Sequence, residues 1–393
     1  MADRILEGVR ILDFGRYIAG PFCAALLADL GADVIRVERV DGGEDRYIYR
    51  VADAGDGALF LQMNRNKRGI TMDPKAPGSA EILRRLVAKS NVVIANLPNE
   101  TLHDLGLDYE SLAAIRPDVI LTAISAFGSE GPYASQVGFD GVGQAMSGAA
   151  YLSGFDRPTK SFASWVDMMS ASLAAFGTMA AIHEHARNGR GQVVQASLFT
   201  SALTAMNFPL IEQALTGVER ERTGNRGQSG APADFFETRD GWIVVQVLGE
   251  PLFRRWARLV GQVDWLGDSR FATDALRADN GEVLSARTAA WCADLTTEDA
   301  LARLAEARIP AGPVLSPREA LQDRHVREAG LLVEMDFPGA DRTPLILPSI
   351  GLTQTPARLW RRAPTLGEHT DEVLAELGFS AVEIAGFRTS RAI

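Results

Sequence analysis

The 393-residue chain is 46% hydrophobic and 23% charged, and its net charge is −10 with an isoelectric point near 5.2. That balance argues against nucleic acid or an anionic membrane as a partner, so an anion site has to be built locally. The length exceeds what one core usually fills, which predicts two domains. The opening MADRILEGVR lacks an apolar signal core, and no run of about eighteen apolar residues occurs. Cys23 and Cys292 fit neither a disulfide framework nor a metal motif, so a soluble cytoplasmic protein is expected.

In chain order, Val9 to Phe14 reads as a strand, Pro21 to Leu30 as a helix ended by Gly31, and Val34 to Val37 as a second strand. This is a βαβ unit without the GxGxxG turn that a dinucleotide needs: the turn reads Gly15-Arg16-Tyr17-Ile18-Ala19-Gly20-Pro21. Arg68 to Met72, Asn91 to Ala95, Val119 to Ser125 and Val193 to Ser197 read as further strands. Helices are expected at Gly78 to Lys89, Gly138 to Ala150 and Trp165 to Arg187, and a long one after the Val193 to Ser197 strand through Thr216. The pattern predicts an α/β, Rossmann-like domain with a mostly parallel sheet. The glycine-rich stretch Gly217 to Ala231 marks a boundary. Beyond it, Ala233 to Thr238 and Trp242 to Val247 flank a hairpin turn at Arg239-Asp240-Gly241, and helices follow, giving a smaller α+β domain. Prolines 344, 348, 356 and 364 suggest an extended return over Arg342 to Thr365, closed by a helix at Thr370 to Leu377. The expected division is 1–216, 217–330 and a return segment 331–393.

Asp167 stands at the start of a helix whose later turns are almost wholly apolar, which places a carboxylate near a positive helix end in a dry setting. Two roles fit: a helix cap, or a nucleophile able to attack an activated acyl group. Asn64-Arg65-Asn66-Lys67-Arg68, with Arg36, Arg39 and Arg46, concentrates positive charge at expected strand ends, where phosphates bind in open α/β sheets; a solvated face is the alternative. His183-Glu184-His185 lacks zinc spacing, and His103, His325 and His369 have no cysteine or carboxylate cluster, so no metal is expected.

The runs LDFGRYIAGPFCAALLADLGADVIRVER, NRNKRGITMD, GPYASQVGFDGVGQAMSGAAYLSG, WVDMMSA, GRGQVVQASLF, RTGNR and PTLGEHTDEVLAELG, in this order over nearly the whole chain, resemble the family III (CaiB/BaiF) CoA-transferases. The resemblance implies a two-domain α/β fold whose C-terminal segment returns to the large domain, and a homodimer of interlocked subunits. It implies acyl-CoA and a carboxylic acid as substrates, with no tightly bound cofactor. Asp167 falls on the catalytic aspartate, and CoA contacts fall on Tyr17, Ile18, Arg39 and Lys75. Lys67, Asn96 and Leu97 join them as cofactor-binding candidates, and Phe139 and Asp140 as substrate-pocket residues. There are departures from the family pattern: Asn96-Leu97-Pro98-Asn99-Glu100 and Asp104 lack two cations, and no glycine-rich flap is clear near Leu248-Gly249-Glu250. Phe139 stands where the related racemases carry a proton-transferring histidine, which favours transferase over α-methylacyl-CoA racemase. A non-catalytic CoA-binding protein and an NAD-dependent oxidoreductase are the other readings, the last lacking its glycine loop.

Overall fold

The computed structural model describes residues 4–51 and 55–393; residues 1–3, part of the opening read above for a leader, and residues 52–54 lie outside them. Six parallel strands form the main sheet: β1 (Arg10–Asp13), β2 (Asp33–Glu38), β3 (Lys67–Thr71), β4 (Val92–Ala95), β5 (Ile120–Ser125) and β6 (Gln192–Ser197). They run in the order β3-β2-β1-β4-β5-β6, the arrangement of a doubly wound dinucleotide-binding sheet. The inner strands are largely apolar because both faces are covered, with Asp13, Arg36 and Glu38 the buried exceptions on β1 and β2. Leu12, Ile35, Val93 and Leu121 point to one core, and Ile11, Val34, Val92 and Ile94 to the other. The first core is closed by the Ser79–Ala88 helix and by Val373, Leu374 and Ile384 of the two C-terminal helices, Thr370–Glu376 and Ala381–Thr389. The second is closed by the Ala19–Asp29 and Trp165–Asn188 helices. The latter is apolar and long enough to match a bilayer, yet its Val166, Ala171, Ala174 and Ala181 are committed to this core.

The edge of β3 is not left open. Gly69 donates its N–H to His369 Nδ1 at 3.2 Å and accepts the His369 N–H at 2.8 Å, while the Thr71 N–H reaches Thr370 Oγ1 at 3.2 Å. These bonds take the backbone groups that a sheet edge otherwise presents to another chain. The approach needs a residue without a side chain, because a Cβ on Gly69 would lie 2.8 Å from the Pro364 ring. Arg68, nearly buried, fastens the same segment by binding Glu372 and Glu376 together with Asp33 of β2.

The described residues group into two compact units, 4–147 with 161–211 and 330–393, and 148–160 with 212–329. Residues 148–160, left in the first domain by sequence reading, group with the second. That unit holds β7 (Ala233–Glu237), β8 (Trp242–Gln246) and β9 (Ala311–Pro313), all antiparallel, over a core of Phe236, Ile243, Phe253, Trp256 and Phe271. Two further expectations need correction. The extended return begins instead as a hairpin of β10 (Leu332–Phe337) and β11 (Ala340–Ile346), since a two-stranded ribbon tolerates Pro344. The helix expected to run through Thr216 is broken between Leu198–Ala205 and Asn207–Thr216, where Pro209 has no N–H to give the Ala205 carbonyl.

Arg68→Ala should destabilise the protein by about 1–2 kcal/mol, because Asp33, Glu372 and Glu376 lose the cation they share and the C-terminal segment loses its tie to β2 and β3. Chemical denaturation would measure the loss, and limited proteolysis should show cleavage within 365–393 ahead of the sheet.

Candidate active site

The turn after β1 lies beside the loop after β4, at the point where strand order reverses, the place at which open α/β sheets bind ligands. Its two glycines serve close packing: a Cβ on Gly20 would lie 2.8 Å from Gly15 Cα. Asn96 clamps the turn, accepting the Arg16 N–H at 2.6 Å and donating to the Arg16 carbonyl at 2.9 Å. Tyr17 then takes a left-handed φ of 60°, its N–H directed to Asp45 Oδ2 at 3.3 Å, and Ile18 begins the Ala19–Asp29 helix. Beside this turn lies a cavity of about 240 Å³ with apolar walls from Phe14, Val37, Met72, Leu97, Leu105 and Leu107, and with Arg39 and Pro74 also lining it.

The cations expected to hold phosphates divide into two groups. Lys67 is fully buried, and its ammonium donates to Asp13 Oδ2, the Pro21 carbonyl and Asn64 Oδ1 at 2.7–2.9 Å. All three donors are used, so the expectation that Lys67 binds a cofactor is corrected: it anchors the turn from beneath. Burial draws Lys67 down to about 8, and Asp13, despite its own burial, is held below the usual carboxylate range by Lys67 and Arg36. Arg36 binds Asp45 and the Gly15 carbonyl, Arg46 binds Glu38 and Asp56, and Arg65 binds Asp29. The basic block is therefore an internal network rather than a phosphate patch. Arg39 and Lys75 remain at the surface; Arg39 is 55% exposed and paired with Asp41, an ion pair weak enough to exchange for a stronger anion.

Asp167 occupies the third position of the Trp165–Asn188 helix and does not cap it. The cap comes from Asp140, at the head of the separate Asp140–Met146 helix: its Oδ1 accepts the Val166 N–H at 2.8 Å and the Asp167 N–H at 3.2 Å, and its Oδ2 accepts from Gln144 Nε2 at 2.6 Å. The cap reading proposed for Asp167 thus belongs to its neighbour. Burial, joined by the charge of Asp140, pushes the Asp167 carboxyl up to about 7. Phe139, 61% exposed, sets its ring edge-on against Tyr17 with centroids 5.4 Å apart. Contacts therefore run from the turn beside the cavity, through Tyr17, Phe139 and Asp140, to Asp167. Sequence reasoning missed Asp45, which holds Arg16, Arg36 and the Tyr17 N–H together, and Gln144. The spacing of Asp140 and Gln144, one helical turn, was the available signal for the latter.

A doubly wound α/β unit with a cavity at its switch point, and a largely buried carboxylate without a hydrogen-bond partner among the described residues, is an arrangement suited to acyl transfer. The profile of CoA-transferase family III matches residues 6–370, and the chain belongs to that family. It is 34% identical to a succinyl-CoA–D-citramalate CoA-transferase of Chloroflexus aurantiacus, over 99% of this chain and 98% of that one. It is 32% identical to a succinate–glutarate CoA-transferase of Agrobacterium fabrum, over 95% of each. A crystal structure of a CaiB/BaiF family protein from Brucella suis superposes with a TM-score of 0.82 at 32% identity, covering 95% of this chain and 99% of that one.

The raised Asp167 carboxyl carries a stability cost with a definite sign. Between about pH 4 and 7 the folded chain holds a proton the unfolded chain has released, so stability falls as pH rises through this range and stays lowered above it. Asp167→Asn should match the wild type near pH 4 and exceed it by about 2 kcal/mol above pH 7, with allowance for partial exposure. Thermal melts of both proteins across pH check this.

Proposed function

We propose that this protein moves CoA from an acyl-CoA to a carboxylic acid through covalent intermediates on Asp167. The observation that carries the reading is a carboxylate without a hydrogen-bond partner among the described residues, at a helix amino end and linked by contact to the cavity beside β1. The Asp167 carboxylate attacks the thioester carbonyl, the C–S bond breaks, and a mixed anhydride and CoA thiolate form. The thiolate attacks the aspartyl carbonyl, releases the donor acid as its carboxylate and leaves an aspartyl-CoA thioester. The acceptor carboxylate attacks that thioester, expelling the thiolate and forming a second anhydride. The thiolate then takes the new acyl group and restores Asp167. Each step exchanges one activated carboxyl for another, so neither ATP nor metal enters the balance.

In this reading the cavity takes the adenine end of CoA between Leu97 and Met72, while Arg39 and Lys75 meet the phosphates and Tyr17 and Ile18 border the pantetheine path. Asn96 acts through the turn it clamps. Succinyl-CoA is the first donor to try, because relatives at 34% and 32% identity carry succinyl and succinate in their names. Racemisation is the second reading; it needs proton carriers on both faces of the α-carbon, and the Phe139 ring carries none. We place the site in an interlocked homodimer in the cytoplasm. Exposed Phe176, Phe208 and Ile211, on helices of the first unit, supply apolar surface for such an interface.

Asp167→Ala should lose more than nine-tenths of transfer from succinyl-CoA to a panel of dicarboxylates while keeping its fold. Hydroxylamine added during turnover should convert Asp167 of the wild type to a hydroxamate visible by peptide mass; absence of that mark would contradict the covalent route. Arg39→Ala or Lys75→Ala should raise KM for acyl-CoA about tenfold and leave KM for the acceptor acid unchanged, since phosphates lie only on CoA. Steady-state kinetics with both substrates varied would separate the two.

A further inference from the structure

The carboxylate of Glu44 lies between two arginines beside the cavity at the β1 turn. Its Oε2 accepts from Arg16 Nη2 at 2.5 Å, and its Oε1 stands 3.7 Å from Arg39 Nη1, beyond hydrogen-bond distance. Both arginines line the cavity, and so does Gly43, the residue before Glu44. The loop after β4, which faces the same turn, holds no Lys or Arg from Asn96 to Thr101.

The two partners of Arg16 differ in kind. Asp45, 3% exposed and itself held by Arg36, accepts Arg16 Nε at 2.8 Å and so fixes the direction of the guanidinium. Glu44 is 68% exposed and takes only the outer nitrogen, while Arg16 Nη1 has no hydrogen-bond partner among the described residues. A Cβ on Gly43 would lie 2.6 Å from Arg16 Nη2, so the guanidinium rests against bare main chain. A guanidinium aimed by a buried carboxylate is already oriented for a second anion, and an exposed ion pair such as the one to Glu44 exchanges readily. A phosphate group, with oxygens facing several directions, can accept from two guanidiniums at once, which the Glu44 carboxylate does not do here.

We propose that Arg16 and Arg39 clamp a phosphate of CoA and that Glu44 holds the clamp as an internal placeholder until the ligand displaces it, an assignment that rests on the cavity taking CoA. On binding, no covalent bond changes: the Glu44 carboxylate turns to solvent, and the phosphate takes its place on Arg16 while also reaching Arg39. Each binding event therefore bears the cost of releasing Glu44. Removing that side chain's hold on Arg16 should make CoA bind more tightly, a direction opposite to that expected of a residue which helps the ligand.

The test is titration calorimetry of CoA into the full-length protein at low ionic strength, where exposed charges act most strongly. Glu44→Gln should lower the Kd for CoA about threefold, and Arg16→Gln should raise it about tenfold. Combining the two separates a placeholder from plain repulsion between Glu44 and the phosphates: with Arg16 replaced, the gain from Glu44→Gln should vanish. A gain of equal size in both backgrounds overturns the proposal, and so does a Glu44→Gln variant that binds CoA no more tightly than the wild type. If Arg16→Gln does not fold, Glu44→Asp takes its place, since it keeps the charge but is one methylene too short to hold Arg16. That variant should also bind CoA more tightly than the wild type, and an unchanged Kd overturns the placeholder. Dephospho-CoA identifies the phosphate: a gain kept assigns the pyrophosphate to the clamp, and a gain lost assigns the 3′-phosphate. A wild type that binds no CoA overturns the reading of the cavity itself, while CoA binding without a gain in Glu44→Gln overturns only the placeholder.

Discussion

A carboxylate from one helix closes the amino end of another, and much of the site is arranged around that cap. The Asp140 bonds to the Val166 and Asp167 N–H groups satisfy donors that a helix start leaves open, so Ser164 is free of capping duty and Asp167 free of any structural bond. A nucleophile needs unused lone pairs, and this division of labour supplies them. It also explains how an aspartate at a helix start escapes the acidity that a helix end usually confers: the charge that benefits from the dipole sits on Asp140, and Asp167 meets burial and repulsion instead.

The other constraint is charge within a buried frame. An acidic chain places its arginines and Lys67 beneath the β1 turn and along β2 and β3, each matched to a carboxylate. Buried pairs of this kind add little net stability but penalise any arrangement that separates them. Here they fix the path of Gly15 to Ile18, and so the place where Tyr17 meets Phe139. The cost of locating the turn by ions is that few cations remain for a ligand, with Arg39 at the cavity wall and Lys75 one residue beyond the lining Pro74.

The sheet was legible in the sequence because each strand holds a short β-branched or apolar stretch set between helix-spaced segments, a pattern that admits few alternatives. Boundaries fell within a few residues for β1 to β6 and for the hairpin of β7 and β8. The β10–β11 ribbon was not legible, because prolines read as strand breakers when pairing on one side only is not foreseen. For the site, Asp167 stood out by its apolar surroundings, and Tyr17, Arg39 and Leu97 by the resemblance. Lys67 could not be separated from Arg39 by residue type, since what distinguishes them is whether Asp13 lies within reach, a relation across 54 positions. The same holds for Asp140, whose partners Val166 and Asp167 lie 26 and 27 positions away.

The stitching of β3 to residues 369–376 has a consequence for the order in which the molecule is made. Positions 69 and 369 are 300 residues apart, and the core on that side of the sheet is completed only by Val373, Leu374 and Ile384. A ribosome adding roughly 5–20 residues per second finishes β3 many seconds before its cover exists. During that interval one edge of the sheet is unpartnered and one apolar face is only partly covered, by the Ser79–Ala88 helix, although the strands themselves are already synthesised. The growing chain is thus a candidate for chaperone attention at a defined stage, and its last helix acts as the closing event of folding rather than as an appendage to a finished domain.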